Sequence, residues 1–110
     1  MSRVLFLCGE GRTLSPTAAQ LFAEKGLSTD FAGVSPGIDD ALTQDQLDWA
    51  DLIVVMERRH HTRLNERFGR LLAGKKILTL DIRDRFTFME PALIAELLEK
   101  AGPRLTHRDR

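Results

Sequence analysis

Cysteine is nearly absent from the chain. Cys8 is the only one in 110 residues, so an intrachain disulfide and any zinc site built on two or more thiolates are excluded. A dominant charge is also missing: 16 Lys plus Arg balance 16 Asp plus Glu, leaving no net field to draw in a polyanion, which argues against nucleic acid as a partner. Long hydrophobic runs are lacking too. No stretch approaches the ~18 apolar residues needed to span a bilayer, and Val4-Leu5-Phe6-Leu7 after Met1-Ser2-Arg3 is too brief for the core of a signal peptide. A membrane is therefore not an expected partner, and a reducing cytoplasm is the expected compartment.

What is present suits one packed unit. Hydrophobic residues make up 43% and charged residues 29% at a length usual for one domain, which predicts a single domain over residues 1–110. Three apolar runs are nearly continuous, Val4-Leu5-Phe6-Leu7, Leu52-Ile53-Val54-Val55-Met56 and Ile77-Leu78-Thr79-Leu80, as strands covered on both faces of a parallel sheet tend to be. A weaker strand is expected at Asp30-Phe31-Ala32-Gly33.

Helical patterns lie between the strands. Ser15-Pro16 reads as an N-cap with proline at the first helical position, followed by Ala18, Leu21 and Phe22. Thr43 with Gln46 fits a capping box opening a short second helix through Leu47 and Ala50. His61, Leu64 and Phe68 predict the buried face of a third helix ending near Gly69, with His60 exposed. A fourth runs from Pro91 along Leu93, Ile94, Leu97, Leu98 and Ala101 to a stop at Gly102-Pro103, and the polar residues from Arg104 to Arg110 are expected to fray. The alternation implies an α/β fold, a small parallel sheet of about four strands with helices on both faces. Ligands of such sheets bind beyond the carboxyl ends of the strands, where Cys8 stands.

The segment from Val4 to Thr17 carries the chemistry. A strand, a loop containing Gly9 and Gly11 and a helix start would enclose backbone N–H groups in an anion-attracting nest. A thiol at its mouth would find its thiolate favoured by the same donors, and the Ser15 hydroxyl could reach it. That arrangement suits a nucleophile attacking phosphorus.

The pattern resembles the low-molecular-weight protein tyrosine phosphatases, in particular a short single-domain branch, which carry a strand, Cys, five residues, Arg, Ser or Thr, and usually Pro-Thr-Ala. Here stand Cys8, five residues from Gly9 to Thr13, then Leu14, Ser15, Pro16, Thr17 and Ala18. The likeness continues through Ala32-Gly33, Trp49-Ala50-Asp51-Leu52, Val55-Met56-Glu57, Leu80-Asp81-Ile82 and Pro91-Ala92-Leu93-Ile94. It implies flavodoxin-like topology, Cys8 as a nucleophile forming phosphocysteine, Ser15 as the hydroxyl assisting its departure, and Asp84 as the general acid, with Asp81 a second candidate. Phe86 and Phe88 match aromatics that wall the pocket, and the phosphate-binding loop would comprise Gly9, Glu10, Gly11, Arg12, Thr13 and Leu14. No cofactor or metal is implied.

One departure dominates. Leu14 occupies the place of the motif arginine, whose planar fork of donors binds phosphoryl oxygens and stabilises their charge in the transition state. Losing one such donor costs ~10²–10³ in turnover, and an arginine on a transferring phosphoryl group is worth ~10³–10⁵. Gly11 replaces a common asparagine, Glu10 adds a carboxylate beside the anion site, and Arg12, the one cation within the loop, would have to turn inward to substitute. Three functions follow: a degenerate phosphatase that binds phosphate or another small oxyanion with weak or no phosphomonoesterase activity, a working cysteine-dependent phosphatase, or a module holding a phosphotyrosine-bearing or acidic segment of another protein. Arsenate reduction through an internal disulfide relay is impossible with one cysteine. His60-His61 lacks an acidic partner at metal-ligating spacing, and the charged run from Glu57 to Arg63 reads as a solvated helical face.

Overall fold

The computed structural model describes residues 3–105, so His107 and the end of the expected frayed tail lie outside the described residues. Four strands form one parallel sheet: β1 (Arg3–Cys8), β2 (Ser28–Gly33), β3 (Leu52–Val55) and β4 (Lys76–Thr79), in the order β2-β1-β3-β4. This is the expected α/β arrangement with flavodoxin-like winding. The winding reverses between β1 and β3, which places the carboxyl end of β1, and so Cys8, at the switch point. The register pairs Cys8 with Gly33 on one side and Leu7 with Val55 on the other.

The period of two along each strand divides the core into two layers. Val4, Phe6, Cys8, Val54 and Met56 face one layer, with α1 (Leu14–Ala23), α4 (Pro91–Lys100) and α5 (Gly102–Leu105) supplying Phe22, Leu93, Leu97 and Leu105. Leu5, Leu7, Ile53 and Val55 face the other, where α2 (Gln44–Trp49) and α3 (Arg58–Phe68) contribute Leu47 and Leu64. A strand with both faces so covered has no polar position to spare, which is why its sequence is an unbroken apolar run. Leu72, from a 3₁₀ turn spanning Gly69–Leu72, completes the second layer.

Three local expectations need correction. First, α1 starts at Leu14 behind an N-cap at Thr13, so Pro16 stands third in the helix, where its missing N–H is still harmless. Ser15 does not cap because its hydroxyl has a tertiary partner, Cys8. Second, α4 stops at Lys100 just before Gly102-Pro103, as expected, but a further short helix, α5, follows with Leu105 buried, because proline is tolerated in a first turn and Leu105 has a core site to fill. The expected fraying therefore does not begin at Arg104. Third, His60, not His61, joins Leu64 on the buried side of α3, leaving His61 half-buried. The buried stripe follows a spacing of four from His60 to Leu64 to the half-buried Phe68. The Thr43 capping box is present, with Gln46 N–H donating to Thr43 Oγ1 at 3.2 Å and Thr43 N–H to Gln46 Oε1 at 3.0 Å.

Candidate active site

β1 delivers Cys8 to the carboxyl end of the sheet, and the chain then turns through residues 9–13 before α1 begins. Cys8 Sγ lies 3.0 Å from Ser15 Oγ and accepts the Gly11 N–H at 3.2 Å. Both bonds are buried; the Gly11 N–H favours negative charge on the sulfur, and the Ser15 hydroxyl does so when its proton turns from the Ala32 carbonyl to Cys8. The Ser15 hydroxyl also lies 3.4 Å from the Ala32 carbonyl, which fixes the serine between sulfur and β2. Among the described residues, the N–H groups of Gly9, Glu10, Arg12 and Thr13 donate to no protein acceptor. Such a run of unspent donors around a thiol is the composition of an anion nest.

The loop is held from outside by β2 and its continuation. Val34 N–H donates to the Cys8 carbonyl at 2.9 Å and Ser35 N–H to the Gly9 carbonyl at 3.0 Å. Two glycines permit the approach. Gly11 takes φ +71°, and a Cβ on it would stand 2.9 Å from Gly33 N; a Cβ on Gly33 would stand 2.6 Å from the Glu10 carbonyl carbon. Backbone therefore packs on backbone, with no room for a methyl group.

The charged loop residues turn away from the sulfur. Arg12 and Glu10 face solvent and lie 3.8 Å apart, with side chains 78% and 61% exposed. Arg12 does not take the arginine's place here. Nor does position 14 offer a donor, since Leu14 is fully buried in the α1/α4 layer beside Phe6, Phe22 and Ile82.

The segment from 81 to 90 joins β4 to α4 and carries the remaining candidates. Ile82 N–H donates to the Met56 carbonyl at 2.8 Å, anchoring the start of the segment beyond β3, and Met89 N–H donates to Thr17 Oγ1 at 2.9 Å, tying its end to α1. Asp84 is exposed at the centre of a tight turn closed by Arg85 N–H on the Arg83 carbonyl at 2.9 Å. Asp81 is exposed as well, with φ +64°, and its carbonyl accepts from Lys100 Nζ at 2.8 Å. Phe86 is buried in the layer that also holds Cys8 and Leu14, with the Arg85 guanidinium 4.4 Å above its ring. Phe88 is 51% exposed and lines a groove along α1 with Pro16, Ala19 and Phe31, a groove whose walls include none of residues 8–14.

A residue that sequence reasoning assigned to solvent stands beside the loop. His60 is buried, and its Nε2 would lie 3.7 Å from a Cβ on Gly9. Burial pushes the imidazole below its ordinary value of 6.5, Arg59 and Arg63 add to that shift, and the carboxylates of Glu57 and Asp84 oppose it. The sequence alone does not single out His60, because His60 and His61 lie four and three residues before Leu64 and both spacings fit one helical face.

No protein-family model and no curated protein matches the chain. Solved structures do. The YwlE arginine phosphatase from Geobacillus stearothermophilus superposes with a TM-score of 0.69 at 25% identity, covering 100% of this chain and 99% of that one. The low molecular weight protein tyrosine phosphatase from T. tengcongensis gives 0.67 at 24% identity over 91% and 99%. Vibrio vulnificus Wzb in complex with benzylphosphonate gives 0.78 at 17% identity over 97% and 99%. The fold is that of these low-molecular-weight phosphatases from end to end.

Proposed function

We propose that the chain is a low-molecular-weight protein tyrosine phosphatase-like protein whose Cys8 loop binds phosphate or another small oxyanion and turns over phosphomonoesters weakly or not at all. The observation that carries this reading is the division within the loop. Its anion-binding half is intact, with unspent N–H donors and the Cys8–Ser15 contact of 3.0 Å. Its charge-stabilising half is gone, because Leu14 is sealed in the core and Arg12 faces solvent. Backbone donors bind a ground-state oxyanion, whereas the spreading charge of a transferring phosphoryl group calls for the missing guanidinium. The phosphonate complex of the Wzb neighbour supports the ligand class.

A second reading is a working cysteine-dependent phosphatase, and the intact Cys8–Ser15 pair favours it. In that reaction Cys8 Sγ attacks phosphorus in line, the bond to the leaving oxygen breaks, and Asp84 gives that oxygen its proton. Water then attacks the phosphocysteine, Asp84 takes the water's proton, and the thiolate departs to Ser15. Asp84 takes this role by resemblance alone. A phosphotyrosine-bearing or acidic protein segment is a further ligand for the same nest, and the cytoplasm is the proposed compartment. No helix of the described residues is long and apolar enough to cross a membrane.

Titration of the native protein with inorganic phosphate, followed by backbone amide NMR, tests the binding claim. Shifts concentrated on Gly9, Glu10, Arg12, Thr13 and Ser15 are expected. An unmoved loop at millimolar phosphate refutes the proposal.

A further inference from the structure

His60 leaves half of its hydrogen-bonding capacity unused. Its Nδ1 accepts the Glu57 N–H at 3.1 Å, which places the proton of the neutral ring on Nε2. Nε2 is therefore a donor, yet it finds no acceptor among the described residues, and the side chain is only 4% exposed. A buried donor kept without a partner is costly, and such groups in native proteins call for an explanation, a ligand among them.

The surroundings define where a partner can stand. Glu57 Oε1 lies 3.7 Å from Nε2, beyond hydrogen-bonding reach, and is itself paired with Arg59 Nε. The other neighbour is the Cys8 loop, where Gly9, lacking a side chain, lets the ring come close. Gly9 opens the series of loop residues whose N–H groups are also unspent. The unpaired imidazole donor and the unpaired amide donors thus belong to one neighbourhood. The ring thus stands between the Cys8 loop and the start of α3.

We propose that His60 Nε2–H is a donor to the oxyanion held by the Cys8 loop, supplying part of the contact that the leucine at position 14 removes. This rests on the reading of the loop as an oxyanion site. The burial of the ring and the Glu57 bond fix the donor before the ligand arrives, so little ordering is required on binding. A neutral N–H gives direction without the charge of a guanidinium, which fits a site that binds an anion better than it stabilises a transferring phosphoryl group.

The test is a phosphate titration of ¹⁵N-labelled protein, read at the His60 imidazole nitrogens and at the loop amides, repeated with His60→Leu and His60→Gln. In the native protein, Nε2 is expected to shift with the same midpoint as the Gly9 to Ser15 amides. His60→Leu is expected to bind phosphate about tenfold or more weakly, as for the loss of a hydrogen bond to a charged group, and His60→Gln, which keeps an N–H donor, to fall between. Loop amides that titrate while Nε2 stays still overturn the proposal, and the native resonance decides the matter even if the leucine variant fails to fold. Equal affinity of native and folded His60→Leu overturns it as well. If the native loop amides do not respond, the oxyanion reading itself has failed and His60 with it.

Discussion

Three glycine substitutions separate the energetic demands of the Cys8 loop. Gly37 has φ +76° and open space around it, so Gly37→Ala meets only the cost of a left-handed backbone, about 1–2 kcal/mol. Gly33 has no positive φ but no space: its new Cβ would lie 2.6 Å from the Glu10 carbonyl carbon, an atom of backbone that cannot rotate aside. Gly33→Ala must push the Cys8 loop off β2, at about 1–3 kcal/mol. Gly11 combines both demands, with φ +71° and a Cβ 2.9 Å from Gly33 N, and Gly11→Ala is expected to cost about 2–4 kcal/mol. Urea unfolding at unchanged m-value ranks the three, and phosphate titration adds the functional axis. Gly37→Ala should bind phosphate like the native protein, while the other two bind it more weakly because the loop has moved. If Gly11→Ala unfolds within ~0.5 kcal/mol of Gly37→Ala and both Gly11→Ala and Gly33→Ala bind phosphate like the native protein, the close backbone packing does not hold the loop and the reasoning is refuted.

Other consequences concern the groups around that loop. His60 is held below its ordinary value of 6.5, so the unfolded chain binds more protons than the native one as pH falls through that value. Native stability from this group is complete above about pH 6.5 and is lost as the solution is acidified toward the folded value, with a slope of at most ~1.4 kcal/mol per pH unit. His60→Gln should flatten that part of the stability profile, and an unchanged profile contradicts the assignment. Thr17→Val removes the acceptor of Met89 N–H and frees a residue held at φ +60°; a loss of about 1–2 kcal/mol and faster hydrogen exchange at Met89 are expected, with unchanged exchange there as the opposing result.

Much of this architecture is legible in the residues. The continuous apolar runs identify sheet strands because both faces of β1 and β3 are covered, and the Thr43–Gln46 capping box is local chemistry that needs no tertiary information. Local cues mislead where a tertiary partner intervenes. Ser15 has the identity of an N-cap, but its oxygen serves Cys8, and α1 begins two residues earlier, at Leu14 behind Thr13. His60 and His61 are equally compatible with the period of α3, since Leu64 lies four residues from one and three from the other; burial beside Gly9 decides between them. The motif spacing located the turn between β1 and α1 that carries Cys8. The direction of Arg12 was beyond its reach, because a long side chain at a loop surface is aimed by neighbours such as Glu10 and by solvent.

Steady-state turnover of p-nitrophenyl phosphate by native protein, Cys8→Ser and Leu14→Arg, each checked for folding, tests the central claim most directly. The account predicts native turnover at or barely above the Cys8→Ser background, with a rise of ~10²-fold or more in a folded Leu14→Arg protein that can present its guanidinium to the loop. Robust native turnover that Cys8→Ser abolishes contradicts it and establishes a phosphatase that works without an arginine at position 14.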